Sequence, residues 1–282
     1  MENNKTKINI NWYPGHMVTA KNEMKKDLKL VDIVLEILDA RIPISSHNPD
    51  IDELIKDKKR IIILNKSDLA DKTENLNWVK YFKAKNTDVI ITDLVSGAGI
   101  KECLKEIEKL VQKNEVSKNI VKVMVVGIPN VGKSSFINKI TKKKSLNVAN
   151  KPGVTRKNQW IKLNNNIYLL DTPGVLWPKF DSQEVALNLT YTGTIKDDIL
   201  DKSEIAYNLL ELLKKDYINS LKERYKLTDE DILLSTTKLI DLIGNKRGAI
   251  VSGGKVDTSK VANIVIEDFR TGKLGKITLE KP

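Results

Sequence analysis

The sequence predicts an α/β fold, a parallel-rich sheet with helices on both faces, followed by an α-helical domain. Three observations carry this expectation. Six apolar runs of strand length alternate with helically spaced segments between residues 31 and 170, the rhythm of a parallel sheet with crossover helices. A glycine-rich stretch, GIPNVGKS (127–134), joins one strand-like run to a helix-like one. Beyond Pro178 strand-like runs become few and apolar residues recur at helical spacing.

In chain order, a polar start leads to WYPGHM (12–17), whose Pro14-Gly15 turn precedes an expected helix from Met17 to Leu30. VDIVLEIL (31–38), IIIL (61–64) and DVIIT (88–92) are short and β-branched, and read as the first three strands. QKNEVSKN (112–119) is polar and aperiodic, a connection. IVKVMVV (120–126), NQWIKL (158–163) and IYLL (167–170) supply the remaining strands. IAYNLLELLKKDY (205–217), DILLSTTKLIDLI (231–243) and KVANIVIEDF (260–269) read as helices of a second domain. The expected division is 1–178 and 179–282.

Composition narrows the class. The 282 residues suffice for one large or two ordinary domains. One cysteine, Cys103, excludes a disulfide framework and a cysteine zinc cluster, and suits a reducing compartment. No apolar run approaches the roughly 18 residues of a membrane span, and MENNKTKININWYPGHM lacks a signal-peptide core. The expectation is a soluble, cytoplasmic protein, monomeric and without a membrane partner. The net charge of +11 falls entirely in residues 1–178, with 31 basic against 20 acidic residues; residues 179–282 carry 17 of each. Residues 134–170 hold eight basic residues and no acid. A polyanion partner accounts for this; so does a chain rich in Lys, Asn and Ile throughout.

GIPNVGKS has the strand–loop–helix setting that a P-loop requires. Its glycines let backbone amides turn inward on phosphate oxygens, Lys133 neutralises β- and γ-phosphates, and the Ser134 hydroxyl suits Mg²⁺. The phosphate-facing set is Asn130, Val131, Gly132, Lys133, Ser134 and Ser135, with the Gly174 amide of DTPG (171–174) as γ-phosphate sensor. Asp171, at a strand's end, is the second Mg²⁺ group. Thr155, in PGVT between those motifs, is the candidate switch threonine for the Mg²⁺ shell.

NKSD (65–68) ends another buried run. A carboxylate at Asp68 would accept guanine's N1–H and exocyclic amine and repel adenine's acceptor, with Asn65, Lys66 and Ser67 packing base and loop. As four isolated letters, NKSD reads equally as a capped helix start; beside a P-loop and DTPG, the guanine reading is favoured. NKSD precedes the P-loop, the reverse of the ordinary GTPase order. A parallel sheet tolerates this, because its site is assembled from strand ends in space.

With WYPGHM, LDARIP (38–43), NKSD, GIPNVGKS, PGVT, DTPGVLWPKF (171–180), TGTIKDDIL (192–200) and GNKRGAIVSGG (244–254), the chain resembles the circularly permuted GTPases of the ribosome biogenesis GTPase A family over nearly its whole length. The resemblance implies a permuted P-loop GTPase domain, GTP/GDP and Mg²⁺ as ligands, and action in late assembly of the large ribosomal subunit. The precursor particle, with its rRNA and ribosomal proteins, is the implied partner, bound with GTP and released after stimulated hydrolysis. One departure stands out. The family's second guanine motif falls on Asp93-Leu94, ahead of Gly97-Ala98-Gly99, where Ser-Ala or Asn-Ser is usual.

Many GTPases carry a water-orienting glutamine after DTPG, whereas this chain has Val175. Taken alone, His16 fits a helix-start role better than catalysis. The resemblance implies that the family replaces the glutamine by an apolar residue and uses the N-terminal histidine, so His16 is the catalytic candidate. His47 reads as surface or a cap. Asn130 matches P-loops whose asparagine helps hold K⁺ beside the phosphates, a charge that an arginine finger supplies elsewhere. Lys246, Arg247, Lys255, Arg270, Lys273 and Lys276, in glycine-rich or late segments, suit RNA phosphates, or are merely solvated. Two rivals remain, a P-loop ATPase or nucleotide kinase and an RNA-binding scaffold with a structural nucleotide.

Overall fold

The computed structural model describes residues 15–55, 58–112, 120–141, 159–163, 166–176, 180, 182–195 and 201–282. The PGVT loop with Thr155, and the basic run after Thr141, lie outside them.

Every expected strand forms. β1 (Ile33–Asp39), β2 (Lys59–Asn65), β3 (Asp88–Ile91), β4 (Val121–Val126), β5 (Gln159–Lys162) and β6 (Ile167–Asp171) make one sheet in the order β3-β2-β1-β4-β6-β5. All neighbouring pairs are parallel except β5, which runs antiparallel to β6 at the edge. β1 is buried at all seven positions, as a central strand covered on both faces must be. The order reverses direction between β1 and β4, so their carboxyl ends open the crevice where such sheets bind ligands. Register delivers the site residues there: Asp39 lies opposite Asn65, and Val125 opposite Asp171.

Helix α1 (Gly15–Leu28) precedes the sheet, and α2 (Pro49–Leu54), α3 (Lys72–Ala84), α4 (Ile100–Gln112) and α5 (Lys133–Thr141) lie in the connections between its strands. Side-chain caps fix two of their starts. Asn48 accepts the Asp50 amide ahead of α2, and Asp71 accepts the Thr73 and Glu74 amides ahead of α3. Trp78 of α3 is buried against Leu38, Ala40, Ile62 and Leu64 beneath the guanine-motif strand.

The chain divides into two units, Met1–Ala186 with Thr278–Pro282, and Leu187–Ile277. The break falls at 186/187 rather than at 178/179, within α6 (Gln183–Tyr191), and the last five residues belong with the sheet. The second unit is helical among its described residues, as the spacing predicts: α7 (Lys202–Asp216), α8 (Ile218–Tyr225), α9 (Asp229–Leu233), α10 (Thr236–Arg247) and α11 (Thr258–Arg270). Its core is the apolar stripe of α7, Leu209, Leu210 and Leu213, with Val265, Ile266 and Phe269 of α11. Gly244 sits where an added Cβ would come within 2.3 Å of Val256, so close helix–loop packing accounts for that glycine. Among the described residues, no helix is long and apolar enough to cross a membrane.

Candidate nucleotide site

The loop between β4 and α5 curls over the end of β1. A Cβ on Gly127 would meet the Ile37 carbonyl at 2.6 Å, and Asn130 takes a left-handed φ of 63°. Lys133, the first residue of α5, is buried, and its Nζ donates to the Ile128 carbonyl at 2.9 Å, so the ammonium lies inside the loop's curve. Burial pulls its pKa down to about 8, against the opposing charge of Asp171. The site thus holds a desolvated cation at the place where phosphate charge would restore its full protonation. Ser134 and Ser135 follow on the first turn of α5, at whose N-terminus anions are favoured.

DTPG closes the other wall. Asp171 is fully buried at the end of β6, and Thr172 Oγ1 donates to the Val125 carbonyl at 2.7 Å. Gly174 approaches so closely that an added Cβ would stand 2.7 Å from the Pro129 nitrogen and 2.9 Å from Lys133 Nζ. Only a glycine lets this segment touch the phosphate loop. Among the described residues, Ser134 and Asp171 offer two oxygen donors that would suit Mg²⁺. That number fits the ion, which is held by one or two protein groups plus substrate phosphates and would supply charge stabilisation there. Val175 is buried, and its carbonyl accepts from Asn48 Nδ2 at 3.0 Å, so one asparagine caps α2 and also ties down the DTPG segment.

NKSD is joined to this loop directly. Asn65 Nδ2 donates to the Val131 carbonyl at 2.7 Å, and its Oδ1 accepts from Thr92 Oγ1 at 3.2 Å. A Cβ on Gly132 would stand 2.4 Å from Asn65 Nδ2, so that glycine makes room for the tether. Lys66, at φ 62°, reaches back to Asp39 Oδ2 at 2.9 Å. Asp39 also takes Arg41 Nε and Nη2 at 3.0 and 2.8 Å. Burial alone would raise the Asp39 pKa, but the charges of Arg41 and Lys66 hold it well below the usual carboxylate range. Ser67 and Asp68 follow in the same turn, half-buried.

The Asp93 carboxylate accepts the amides of Val95 and Ser96 at 2.7 and 3.3 Å, closing its own turn. What that turn presents to a base is therefore backbone and Leu94, whose side chain lies beside Gly132. Gly99 has φ 82°, and an added Cβ would fall 2.0 Å from the Ile91 carbonyl.

A match to the family described as "50S ribosome-binding GTPase" covers residues 122–246, and one to "RsgA GTPase" covers 54–181. "Ribosome biogenesis GTPase A" of Bacillus cereus is 44% identical over 97% of this chain and 94% of its own length. The chain belongs to the ribosome biogenesis GTPase A family. The namesake of Thermotoga maritima is 30% identical over 97% of this chain and 95% of its own. GDP-bound YlqF superposes with a TM-score of 0.70 at 28% identity, covering 92% of this chain and 99% of that one. This is a GTPase of ribosome biogenesis with a circularly permuted P-loop domain, in which the guanine motif precedes the phosphate loop in sequence and meets it in space.

His16 lies in the first turn of α1, and Thr155 falls outside the described residues. His47 is neither a cap nor simply surface; Asn48 is the cap. His47 Nδ1 lies 2.7 Å from Glu36 Oε1 and Nε2 2.9 Å from Asp52 Oδ2, and Arg60 bonds to both acids. Burial would lower its pKa, yet these two hydrogen-bonded carboxylates lift it to about 9. Among the RNA candidates, Lys255, Lys273 and Lys276 are exposed, as is Lys246, which donates to the Lys226 carbonyl at 2.6 Å. Lys246, Arg247 and Lys273 line a cavity of about 690 Å³ with Arg224 and Lys226. Arg270 is likewise tied to its own unit, its Nε and Nη2 donating to the carbonyls of Tyr191 and Thr190 at the end of α6, as is Arg247, whose Nη2 donates to the Arg224 carbonyl. Sequence patterning assigns no role to Asp39, Arg41, Asn48 or Thr92; LDARIP contains the first two without showing what each side chain holds.

Proposed function

We propose that this GTPase binds the precursor of the large ribosomal subunit in its GTP state and leaves after subunit-stimulated hydrolysis, late in maturation. The observation that carries the reading is the contact of Gly174 with Pro129 and Lys133 Nζ. A segment that close to the γ-phosphate position registers its presence, and the chain runs from it into α6 and the helical unit. A state-dependent change in that unit is what a binding switch requires. The description "50S ribosome-binding GTPase", and the ribosomal names of the relatives, support the large subunit as partner.

In this reading Lys133, Ser134, Ser135 and the amides of 130–132 hold the phosphates. Asn65, Lys66, Ser67 and Asp68 hold guanine with the 93–94 backbone, and Asp171, Ser134 and Thr155 serve Mg²⁺. Asn130 supports K⁺ beside the phosphates, so hydrolysis is faster in KCl than in NaCl at equal ionic strength. The exposed Lys246, Lys255, Lys273 and Lys276, with Arg247, meet rRNA phosphates. The protein acts as a monomer in the cytoplasm.

Sedimentation with precursor subunits tests the proposal. Co-sedimentation with a non-hydrolysable GTP analogue and release with GDP is the expected outcome, and equal binding in both states overturns it.

A further inference from the structure

We infer that the segment Thr278–Glu280 positions the guanine side of the site, by holding the loop between β1 and α2 in the shape from which Asp39 fixes Lys66. The inference rests on the reading of Lys66 and Asp68 as guanine-side residues.

After Ile277 the chain leaves the helical unit and rejoins the sheet unit. There the Glu280 carboxylate receives the Ile44 amide at 2.6 Å, the Ser45 amide at 2.9 Å and the Ser45 hydroxyl. A carboxylate on consecutive amides fixes backbone conformation as a bound anion does. The Leu279 amide donates to the Arg41 carbonyl at 2.8 Å, and Thr278 Oγ1 accepts the Asp71 amide at 3.0 Å. Three residues thus pin the loop before the guanine motif and the helix start after it.

Two routes lead from those contacts to Asp39. Ser46, next to Ser45, accepts the Asp39 amide at 3.0 Å, and Arg41 chelates the Asp39 carboxylate. Asp39 in turn holds Lys66 Nζ at 2.9 Å. These contacts are polar and address main-chain groups of functional loops, whereas a segment that only closed the core would act through apolar side chains. Leu279 is only half-buried.

The test titrates full-length Glu280→Ala and Glu280→Gln with GDP and with IDP, whose base lacks guanine's exocyclic amine. Glu280→Ala lowers the preference for GDP about tenfold, the scale of a displaced charge-assisted hydrogen bond, and Glu280→Gln, which keeps an acceptor for Ser45, lowers it less. If Glu280→Ala fails to fold, the glutamine variant carries the test. An unchanged preference in the folded variants, or equal weakening of both nucleotides, overturns the inference. Asp68→Asn run in parallel separates the two levels: if it loses the preference while the Glu280 variants keep it, only the positioning role falls. If Asp68→Asn keeps the preference, the guanine-side reading itself falls.

Discussion

The side chain of Asn65 donates to the carbonyl of Val131 across 2.7 Å, so the guanine motif and the phosphate loop are one hydrogen-bonded object although 66 positions separate them in sequence. Gly132 leaves the space for that bond. Both observations concern one tether, which gives it a quantitative test.

Asn65→Ala removes the donor and leaves the buried Val131 carbonyl unsatisfied, a loss of about 1–3 kcal/mol. The expected result is weaker GDP and GTP binding of that order by calorimetry. Gly132→Ala pushes a methyl into Asn65 and strains a residue at φ 102°, so it weakens binding by the same route. The double variant is therefore less than additive; full additivity would show that the two residues act separately.

Lys133 predicts a pH dependence with a definite sign. In the free protein its pKa is about 8, and contact with phosphate charge raises it, so binding above pH 8 takes up a proton. Affinity for GDP falls as pH rises past about 8, by at most about tenfold per unit, and the heat of binding there depends on the ionisation enthalpy of the buffer. Lys133→Met binds weakly and loses the slope. In the nucleotide-free protein the same shift acts oppositely. The unfolded value near 10.4 exceeds 8, so the unfolded chain binds more protons between them and Lys133 makes stability rise with pH there.

The strands were legible because β1 and β4 are buried on both faces and so read as uninterrupted apolar runs. The phosphate motifs were legible because their chemistry admits few residue types at each position. Asp39, Arg41 and Asn48 were not, since a buried ion pair and a two-way asparagine act through partners set by register and loop shape, which spacing does not reveal. The return of Thr278–Pro282 to the sheet unit was hidden for a related reason: a five-residue segment without periodicity has no sequence signature, and the polar contacts that hold it follow from the folded loops. Nor does spacing show that Arg270, a cation in a basic segment, directs donors at carbonyls of its own unit.

That difference separates the basic residues experimentally. Arg270→Ala removes two hydrogen bonds to carbonyls at the end of α6 and lowers the melting temperature, by several degrees for a loss of about 1–2 kcal/mol. Lys255→Ala and Lys273→Ala remove exposed charges, leave the melt nearly unchanged, and reduce affinity for an rRNA fragment. They also flatten its salt dependence, by a slope of up to about 0.9 for each phosphate that is no longer neutralised. A Lys255→Ala, Lys273→Ala double variant with wild-type affinity and wild-type slope would remove these lysines from the RNA face.

The last prediction concerns the attacking water. Val175 buries its side chain and gives its carbonyl to Asn48 Nδ2, so the residue after DTPG offers the water neither donor nor base from its side chain. His47, the other histidine, is held between Glu36 and Asp52 with its pKa lifted to about 9, which makes it a cation at neutral pH and a poor proton acceptor. His16 remains, in the motif that the family resemblance marks as functional, and histidine is the side chain whose ordinary titration falls nearest neutral pH. A neutral imidazole that orients or deprotonates the water contributes typically about 10²- to 10⁴-fold, an effect on the chemical step alone. His16→Ala therefore binds GTP like the wild type, melts like it, and loses subunit-stimulated single-turnover hydrolysis by a factor in that range. His47→Ala, by contrast, loses stability through the Glu36, Asp52 and Arg60 cluster and keeps the stimulated rate per folded molecule. Should a folded, GTP-binding His16→Ala protein hydrolyse at the full stimulated rate, the water is positioned by the ribosomal partner rather than by this chain.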